Sequence, residues 1–239
     1  MIDDERALDF RTAAELTGAT VHRSVLSVIE AGERGLDDVA TLLERPPDEA
    51  VLTIAELELL SPLPAPQQIR DFANYEAHCV AAMDAAMRLR SEGEQDPASA
   101  YDRLKSSGAY RLPDVWYDVP LYYKGNRFAT NGHNGIVDCP PFSDFLDYEL
   151  ELACVIGREG RDIRRDDASA HIFGYTIFND FSARDVQARW EGQFRMGPAK
   201  GKDFDGGNAF IDPHGKRFTG GPKGRQGDAA IGEQALCVG

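Results

Sequence analysis

Three acidic side chains alternate along a stretch that has the pattern of a β-strand. The stretch 146–156 reads LDYELELACVI and carries Asp147, Glu149 and Glu151 at every second position. Because successive side chains of a strand point to opposite faces, these carboxylates share one face and the residues between them share the other. Like charges on one face are unfavourable unless water or a cation compensates them. The stretch is therefore either a solvated strand face or part of a cation site.

A second apolar strand that ends in a carboxylate follows further along the chain. The segment 174–180 reads GYTIFND, and Ser182 with Asp185 three residues later is a capping-box pattern that predicts the start of a helix. Asp180 is thus expected at a strand-to-helix junction, where functional residues are common. Together with the two glutamates of the first strand, it offers the hard oxygen ligands that Mg²⁺, Mn²⁺ or Ca²⁺ prefer.

Three longer motifs resemble the fumarylacetoacetate hydrolase family, which contains fumarylacetoacetase and its bacterial relatives. The motifs are LDYELELACVIGREGRDI, GYTIFNDFSARDVQ and MGPAKGKDFD, and weaker support comes from 70–78. The resemblance implies an α+β fold with a mostly β roll or sandwich catalytic domain of the fumarylacetoacetase C-terminal type, incomplete at its C-terminus. We expect this domain at 67–210, a small helical and strand region with a linker at 1–66, and a disordered tail at 211–239.

The resemblance also implies a metal site and a general base. The expected metal ligands are Asp71, Glu149, Glu151 and Asp180. His78, seven residues after the first ligand, is the expected general base, although a histidine at the start of a helix is otherwise a structural residue. Some relatives carry a glutamate three residues after this histidine, and here that position is Ala81. The expected cofactor is a divalent ion, Mg²⁺ first, with Ca²⁺ and Mn²⁺ as alternatives.

Four further side chains match family positions around the substrate. Lys202, Arg184 and Gln187 are expected to stabilise an oxyanion or a leaving carbanion, and Tyr123, Arg184 and Gln187 to contact the substrate. The residues alone leave other interpretations open. An aromatic-rich segment around Tyr123 is also typical of a packed core strand, and Arg184 could form an ion pair with Asp185 or Glu191.

The spacing of apolar residues and the positions of prolines predict the helices and strands that must position these side chains. Apolar residues at helical spacing predict two or three amphipathic helices between about 7 and 43. A short strand is expected at 51–57, and the proline-rich segment 61–66 reads as a rigid linker. A helix is expected to continue from His78 through Leu89.

Composition and charge exclude several classes of partner. The chain has 26 Lys and Arg against 40 Asp and Glu, a formal net charge of −14, which argues against nucleic acid or an anionic membrane as partners. The four cysteines show no CxxC spacing and are expected to be reduced thiols. With neither an apolar signal region nor a membrane-spanning run, we expect a cytoplasmic location, and the resemblance implies a homodimer.

The implied function is metal-dependent hydrolysis of a carbon–carbon bond in a fumarylacetoacetate-like or acylpyruvate-like substrate, in aromatic-acid catabolism. The alternatives are an isomerase, decarboxylase or hydratase of the 2-hydroxyhepta-2,4-diene-1,7-dioate type, or an inactive fragment. Past Phe210 the resemblance stops, whereas relatives continue with β-structure that supplies a second catalytic carboxylate. Because 211–239 is rich in Gly, Lys and Arg, we expect a truncated or shifted reading frame.

Overall fold

The computed structural model describes residues 1–187, 201–204, 207–211 and 234–238. Within them, the α-helices are α1 Phe10–Thr17, α2 Val25–Ala31, α3 Glu33–Glu44, α4 Glu76–Ser91, α5 Pro97–Ser106, α6 Val115–Asp118 and α7 Arg184–Val186. The strands are β1 Arg6–Leu8, β2 Val51–Thr53, β3 Ile69–Phe72, β4 Tyr122–Gly125, β5 Thr130–Asn131, β6 Leu146–Asp147, β7 Leu150–Ile156, β8 Ile172–Asp180, β9 Ser182–Ala183, β10 Asn208–Ile211 and β11 Gln234–Val238. This mixture of elements agrees with the predicted α+β class.

The N-terminal region packs its own small core beside the sheet. Helix α1 begins at Asp9, whose carboxylate accepts the backbone N–H groups of Arg11 and Thr12, and it ends at Gly18 with a φ of +71°. The core of this region consists of Leu8, Ala13, Ala14, Leu42 and Ala50. Apolar spacing predicts two or three helices here, and the structure has three. The strand expected at 51–57 is shorter, because a 3₁₀ turn replaces it after Thr53.

A seven-stranded mixed sheet carries the acidic residues. Its strand order is β4-β3-β11-β7-β8-β10-β5. The antiparallel pair β7–β8 aligns Leu150 with Asn179 and Leu152 with Ile177. Strand β11 pairs in parallel with β7 and antiparallel with β3. The sheet thereby brings β3, β7 and β8, which are distant in sequence, close together.

The two faces of this sheet differ in character. A buried apolar cluster lies on one face and consists of Leu63, Ile69, Ala153, Val155 and Phe178. By strand alternation, Glu151 of β7 and Asp71 of β3 lie on that same face, toward one end of the cluster. On the opposite face, Leu150 and Leu152 are 39% and 48% exposed. The acidic residues are thus buried, and the leucines that alternate with them are not.

Two local predictions from the sequence are wrong. The stretch 146–156 is not one strand, because β6 leaves the main sheet and pairs with β9 before β7 begins. The capping box also fails: Ser182 lies in β9 and donates its hydroxyl to the carbonyl of Asp180, and α7 has no side-chain cap. In both cases a tertiary strand pairing overrides a local pattern.

Strand β11 lies in the stretch for which the sequence predicts disorder. Gln234–Val238 bonds to strands on both sides, so its place in the sheet depends on partners distant in sequence and not on a local pattern. The rest of that tail, 212–233, and the segment 188–200 lie outside the described residues. Among the described residues, no helix has the length and apolar character that crossing a membrane requires.

Candidate metal centre

Four buried carboxylates from separate parts of the chain meet at one end of the sheet. Each of them offers an oxygen, and these oxygens all lie within 4.8 Å of one another; the residues are Asp71, Glu149, Glu151 and Asp180. Backbone pairing fixes this arrangement, because the N–H of Asp180 donates to the carbonyl of Glu149 at 3.0 Å. The Glu149 N–H in turn donates to Oδ1 of Asn179 at 3.1 Å. All four residues that the sequence predicts as metal ligands therefore lie together.

Several of these carboxylate oxygens lack a hydrogen-bond partner within the described part of the chain. They are both oxygens of Glu151, Oδ2 of Asp71 and Oδ1 of Asp180. A buried acceptor without a partner costs free energy, and a buried charge costs more. Burial and the neighbouring acids raise the pKa of Asp71 and of Glu151 well above the ordinary range. Hard, buried and unsatisfied oxygens in this number fit a divalent cation of the Mg²⁺, Mn²⁺ or Ca²⁺ type.

Two cationic side chains compensate Glu149. Lys202 Nζ donates to the carboxylates of both Glu149 and Asp180. Arg184 Nη1 donates to Oε1 of Glu149 at 2.5 Å, and its Nε donates to Oδ2 of Asp147 at 2.9 Å. Burial alone would raise the pKa of Glu149, but Lys202 and Arg184 outweigh it and lower that pKa to about 2. Glu149 is therefore a permanent anion at neutral pH.

His78 stands at the edge of this group, on the first turn of α4. Its Nε2 lies 3.8 Å from Oε1 of Glu149, which is an ion-pair distance but too long for a hydrogen bond. Its Nδ1 is buried and has no hydrogen-bond partner among the described residues. Burial, only partly offset by Glu149, lowers the pKa of His78. The imidazole is therefore neutral at pH 7 and able to accept a proton.

The two remaining predicted residues are Tyr123, which bonds to one of the four carboxylates, and Gln187, which bonds to Arg184. The Tyr123 hydroxyl donates to Oδ2 of Asp180 at 2.5 Å. Burial and the negative charge of Asp180 raise the pKa of Tyr123, so this phenol remains a donor. Gln187 Oε1 accepts a hydrogen bond from Arg184 Nη1 at 3.3 Å.

Of the two acids that the sequence suggests as partners of Arg184, Asp185 is not its partner, and Glu191 lies outside the described residues. The Asp185 carboxylate does not pair with Arg184; it accepts the Ser143 hydroxyl at 2.6 Å and the Asp144 N–H at 3.0 Å. The alternating pattern put Asp147 on the same predicted face as the two glutamates without indicating a role for it, and Asp147 is the second acid that Arg184 binds. The alternation of acids along 147–151 was the available signal for it.

Comparison with known proteins gives a family match that includes β3, α4, β7 and β8, the elements that carry the four carboxylates and His78. The model of the fumarylacetoacetate (FAA) hydrolase C-terminal domain matches residues 67–210. Oxaloacetate tautomerase YisK of Bacillus subtilis (strain 168) is 30% identical over 208 residues, which cover 82% of this chain and 60% of that protein. The human mitochondrial oxaloacetate tautomerase FAHD2A is 47% identical over 82 residues, covering 34% of this chain and 25% of that protein.

Solved structures of similar proteins support the same fold. A maleylpyruvate hydrolase from Sphingobium sp. SYK-6, in complex with manganese(II) ion and pyruvate, superimposes with a TM-score of 0.53 at 18% identity, covering 88% of this chain and 60% of that one. A fumarylacetoacetate hydrolase from psychrophilic Exiguobacterium antarcticum gives a TM-score of 0.50 at 23% identity, covering 81% and 55%. The chain thus spans 60% or less of the length of each of these proteins.

Proposed function

The chain belongs to the fumarylacetoacetate hydrolase family, and from that premise we propose that it is a metal-dependent enzyme that acts on the keto group of a 2-oxo acid or β-dicarbonyl compound. One observation carries the proposal. Four carboxylates converge in a buried position, and oxygens of Asp71, Glu151 and Asp180 have no partner among the described residues. A divalent cation would satisfy those oxygens and the excess negative charge together.

The proposed ligands are Asp71, Glu149, Glu151 and Asp180. Held by these carboxylates, a divalent ion would supply Lewis-acid chemistry toward a substrate keto group. Carboxylate oxygens suit Mg²⁺, Mn²⁺ and Ca²⁺ alike; we propose Mg²⁺ first, with Mn²⁺ and Ca²⁺ as the alternatives. The manganese(II) and pyruvate in the Sphingobium hydrolase suggest two probes for this chain.

The surrounding side chains divide into proton carriers and anion stabilisers. His78 lies beside the carboxylates, and because its pKa is lowered the imidazole can accept a proton, so it serves as the general base. Lys202 and Arg184 both donate to Glu149 at the edge of the carboxylate group, and from there they would stabilise negative charge that develops on a substrate oxygen. Gln187 positions Arg184 by accepting from its Nη1. Tyr123 stays protonated and holds Asp180 through its hydroxyl, and we propose that Tyr123, Arg184 and Gln187 contact the substrate.

Carbon–carbon hydrolysis is the first candidate reaction. His78 takes a proton from a water molecule, and the resulting hydroxide adds to a substrate carbonyl carbon. The bond to the neighbouring carbon then breaks, its electron pair moves onto the departing 2-oxo fragment as an enolate, and that fragment takes up a proton. Lys202 and Arg184 stabilise the negative charge at both stages. We propose a role in the breakdown of aromatic acids, where acylpyruvate-like intermediates arise.

Keto–enol tautomerisation is the second candidate, and a specific feature of the base favours it. Moving one proton between carbon and oxygen needs a single acid–base group, whereas activation of water benefits from a carboxylate that orients the imidazole. Here Nδ1 of His78 has no partner among the described residues, and position 81 is alanine. The similarity to proteins named oxaloacetate tautomerases supports the same outcome. Isomerase, decarboxylase and hydratase reactions would use the same side chains.

One assay separates these reactions. Purified protein with Mg²⁺ or Mn²⁺ is given an acylpyruvate or fumarylacetoacetate, and separately oxaloacetate equilibrated in its enol form. Hydrolysis consumes the first type of substrate and releases two acids, whereas tautomerisation removes only the enol absorbance of oxaloacetate. His78→Gln should abolish either reaction and keep the metal-induced rise in melting temperature. The control is Glu159→Gln, which replaces an exposed acid in the turn after β7 and should leave both reactions unchanged.

An inactive fragment is the outcome that would contradict the proposal. It would be recognised by protein that binds metal, melts cooperatively and turns over none of these substrates.

We further propose a cytoplasmic homodimer that binds neither nucleic acid nor membrane. Leu150, Leu152 and Tyr175 are 39%, 48% and 62% exposed, and an apolar surface of this kind supports self-association. Light scattering during gel filtration tests the subunit number.

A further inference from the structure

A short connection links a proposed metal ligand to the proposed base. Strand β3 ends at Phe72, just after Asp71, and α4 begins at Glu76, just before His78. Residues 73–75 therefore decide how far the imidazole lies from the carboxylates. The first residue outside α4, Tyr75, makes no side-chain cap bond to the helix. The start of the helix thus depends on contacts from elsewhere in the fold.

Helix α6 supplies those contacts. The indole N–H of Trp116 donates to the carbonyl oxygen of Ala73 at 2.6 Å. The hydroxyl of Tyr117 donates to Oε1 of Glu76 at 2.6 Å. The rings of Trp116 and Tyr117 meet edge to face, with centroids 4.9 Å apart. Two neighbouring aromatic donors therefore hold both ends of the connection.

The backbone just after α6 also binds the connection 73–75. The N–H of Ala73 donates to the carbonyl of Leu121 at 3.0 Å, so both polar backbone groups of Ala73 bond to the segment 116–121. That segment continues directly into β4, where the Tyr123 hydroxyl donates to Asp180. A single stretch of chain thus contacts the approach to His78 at one end and a proposed ligand at the other.

We propose that Trp116 is a positioning residue that sets the place of His78 relative to the carboxylates. This inference rests on the proposed function, because it assigns His78 the role of base. Trp116 acts through the Ala73 carbonyl and touches neither substrate nor ion. The effect is on geometry, since proton transfer requires the base within hydrogen-bond reach of the proton it takes, and a small displacement of the base slows the reaction strongly.

The test uses two variants, and each removes the hydrogen-bond donor of one aromatic side chain. One donor binds just before the start of α4 and the other binds within α4. Trp116→Phe keeps an aromatic ring and deletes the N–H that binds Ala73. Tyr101→Phe deletes the hydroxyl that joins α5 to Asp84, in the middle of α4 and away from His78. Trp116→Phe loses one hydrogen bond, whereas Tyr101→Phe loses two, because the Tyr101 hydroxyl also accepts from Arg88 Nη2 at 3.4 Å. A merely structural role would therefore disturb Tyr101→Phe at least as much as Trp116→Phe.

Hydrogen exchange of the backbone amides across 73–80 is the first readout, and it does not depend on activity. We expect about 3- to 10-fold faster exchange there in Trp116→Phe, as the loss of one hydrogen bond implies, and no change in Tyr101→Phe. Unchanged exchange in Trp116→Phe would overturn the inference. If the wild-type protein turns over no substrate, the proposed function fails while this measurement still decides whether Trp116 holds the start of α4.

Turnover is the second readout. In Trp116→Phe we expect kcat to fall about tenfold or more, with KM and the metal-induced rise in melting temperature unchanged. Tyr101→Phe should keep the wild-type kcat. Equal losses of kcat in the two variants would show that Trp116 supports only the stability of α4 and would contradict a positioning role.

Discussion

Arg184 Nη1 lies 2.5 Å from Oε1 of Glu149, and this ion pair divides the four carboxylates into two kinds. Glu149 has two cationic partners, Arg184 and Lys202, and its pKa is lowered to about 2. Glu151 forms no ion pair among the described residues, and burial with nearby acids raises its pKa. Glu149 is therefore negative whether or not an ion is bound, whereas Asp71 and Glu151, whose pKa values are both raised, are the groups whose protons an incoming cation would displace.

Replacing Lys202 with methionine should destabilise the metal-free protein. Lys202 is buried and forms ion pairs with Glu149 and Asp180. Its removal leaves Asp180 without a cationic partner among the described residues and leaves Glu149 paired with Arg184 alone. Breaking a buried pair in this way costs about 3–5 kcal/mol, measurable as a lower denaturation midpoint in guanidinium chloride. Mg²⁺ or Mn²⁺ should restore part of the loss. Lys124→Met, on an exposed position of β4, should change little, and an equal effect of both variants would contradict this prediction.

The pH dependence of stability should change sign when metal is added. The pKa values of Asp71 and Glu151 are raised in the fold, so their protonated forms are favoured there. Their contribution to the stability of the metal-free protein is present at low pH and lost as pH rises through the folded-state pKa.

Metal binding opposes this loss, because an ion needs the ionised carboxylates and competes with their protons. Apparent metal affinity should therefore increase with pH. Thermal melts at about pH 5 to 8, with and without Mg²⁺, measure both effects. A metal-induced shift that stays constant over that range would show that the carboxylates with raised pKa are not the ligands.

Substitution of Asp185 should affect the site without touching it. Its carboxylate accepts hydrogen bonds from the Ser143 hydroxyl and the Asp144 N–H. The backbone N–H of the neighbouring Arg184 donates to the carbonyl oxygen of Phe145 in the same segment. Asp185→Ala should cost about 0.5–1.5 kcal/mol, because the Ser143 hydroxyl and the Asp144 N–H lose a charged acceptor at a partly exposed position, and should lower kcat/KM by loosening Arg184. Ser143→Ala removes only one of these bonds and should cost less. Equal stability of Asp185→Ala and the wild-type protein in urea would refute this account.

Part of the site could be predicted from local sequence patterns. Alternation placed Glu149 and Glu151 on one strand face, and the apolar strand before Asp180 placed that carboxylate at a strand end. Nothing local marked Asp71 as their neighbour, since only the resemblance connected it to them. Strands β3 and β7 become neighbours through β11, a pairing between distant segments that periodicity does not encode.

The partners of the charged side chains were harder to predict. Sequence proximity suggested Asp185 for Arg184, but the pairing of β6 with β9 brings Asp147 to it instead. The same pairing interrupts the strand that the alternation predicts, because Leu146 and Asp147 bond outside the main sheet. Charge partners depend on which strands meet, and that choice is made by the whole fold and not by local propensity.

Titration of the purified protein with Mn²⁺, followed by calorimetry, tests the central claim most directly when the wild-type chain is compared with Glu151→Gln. The substitution keeps the shape of the side chain and removes the charge, and both oxygens of Glu151 are unpartnered among the described residues. We predict binding of a single ion per chain with a raised melting temperature in the wild type, and loss of both in the variant. Equal binding by the two proteins, or no binding by the wild type, would contradict a metal centre at these four carboxylates.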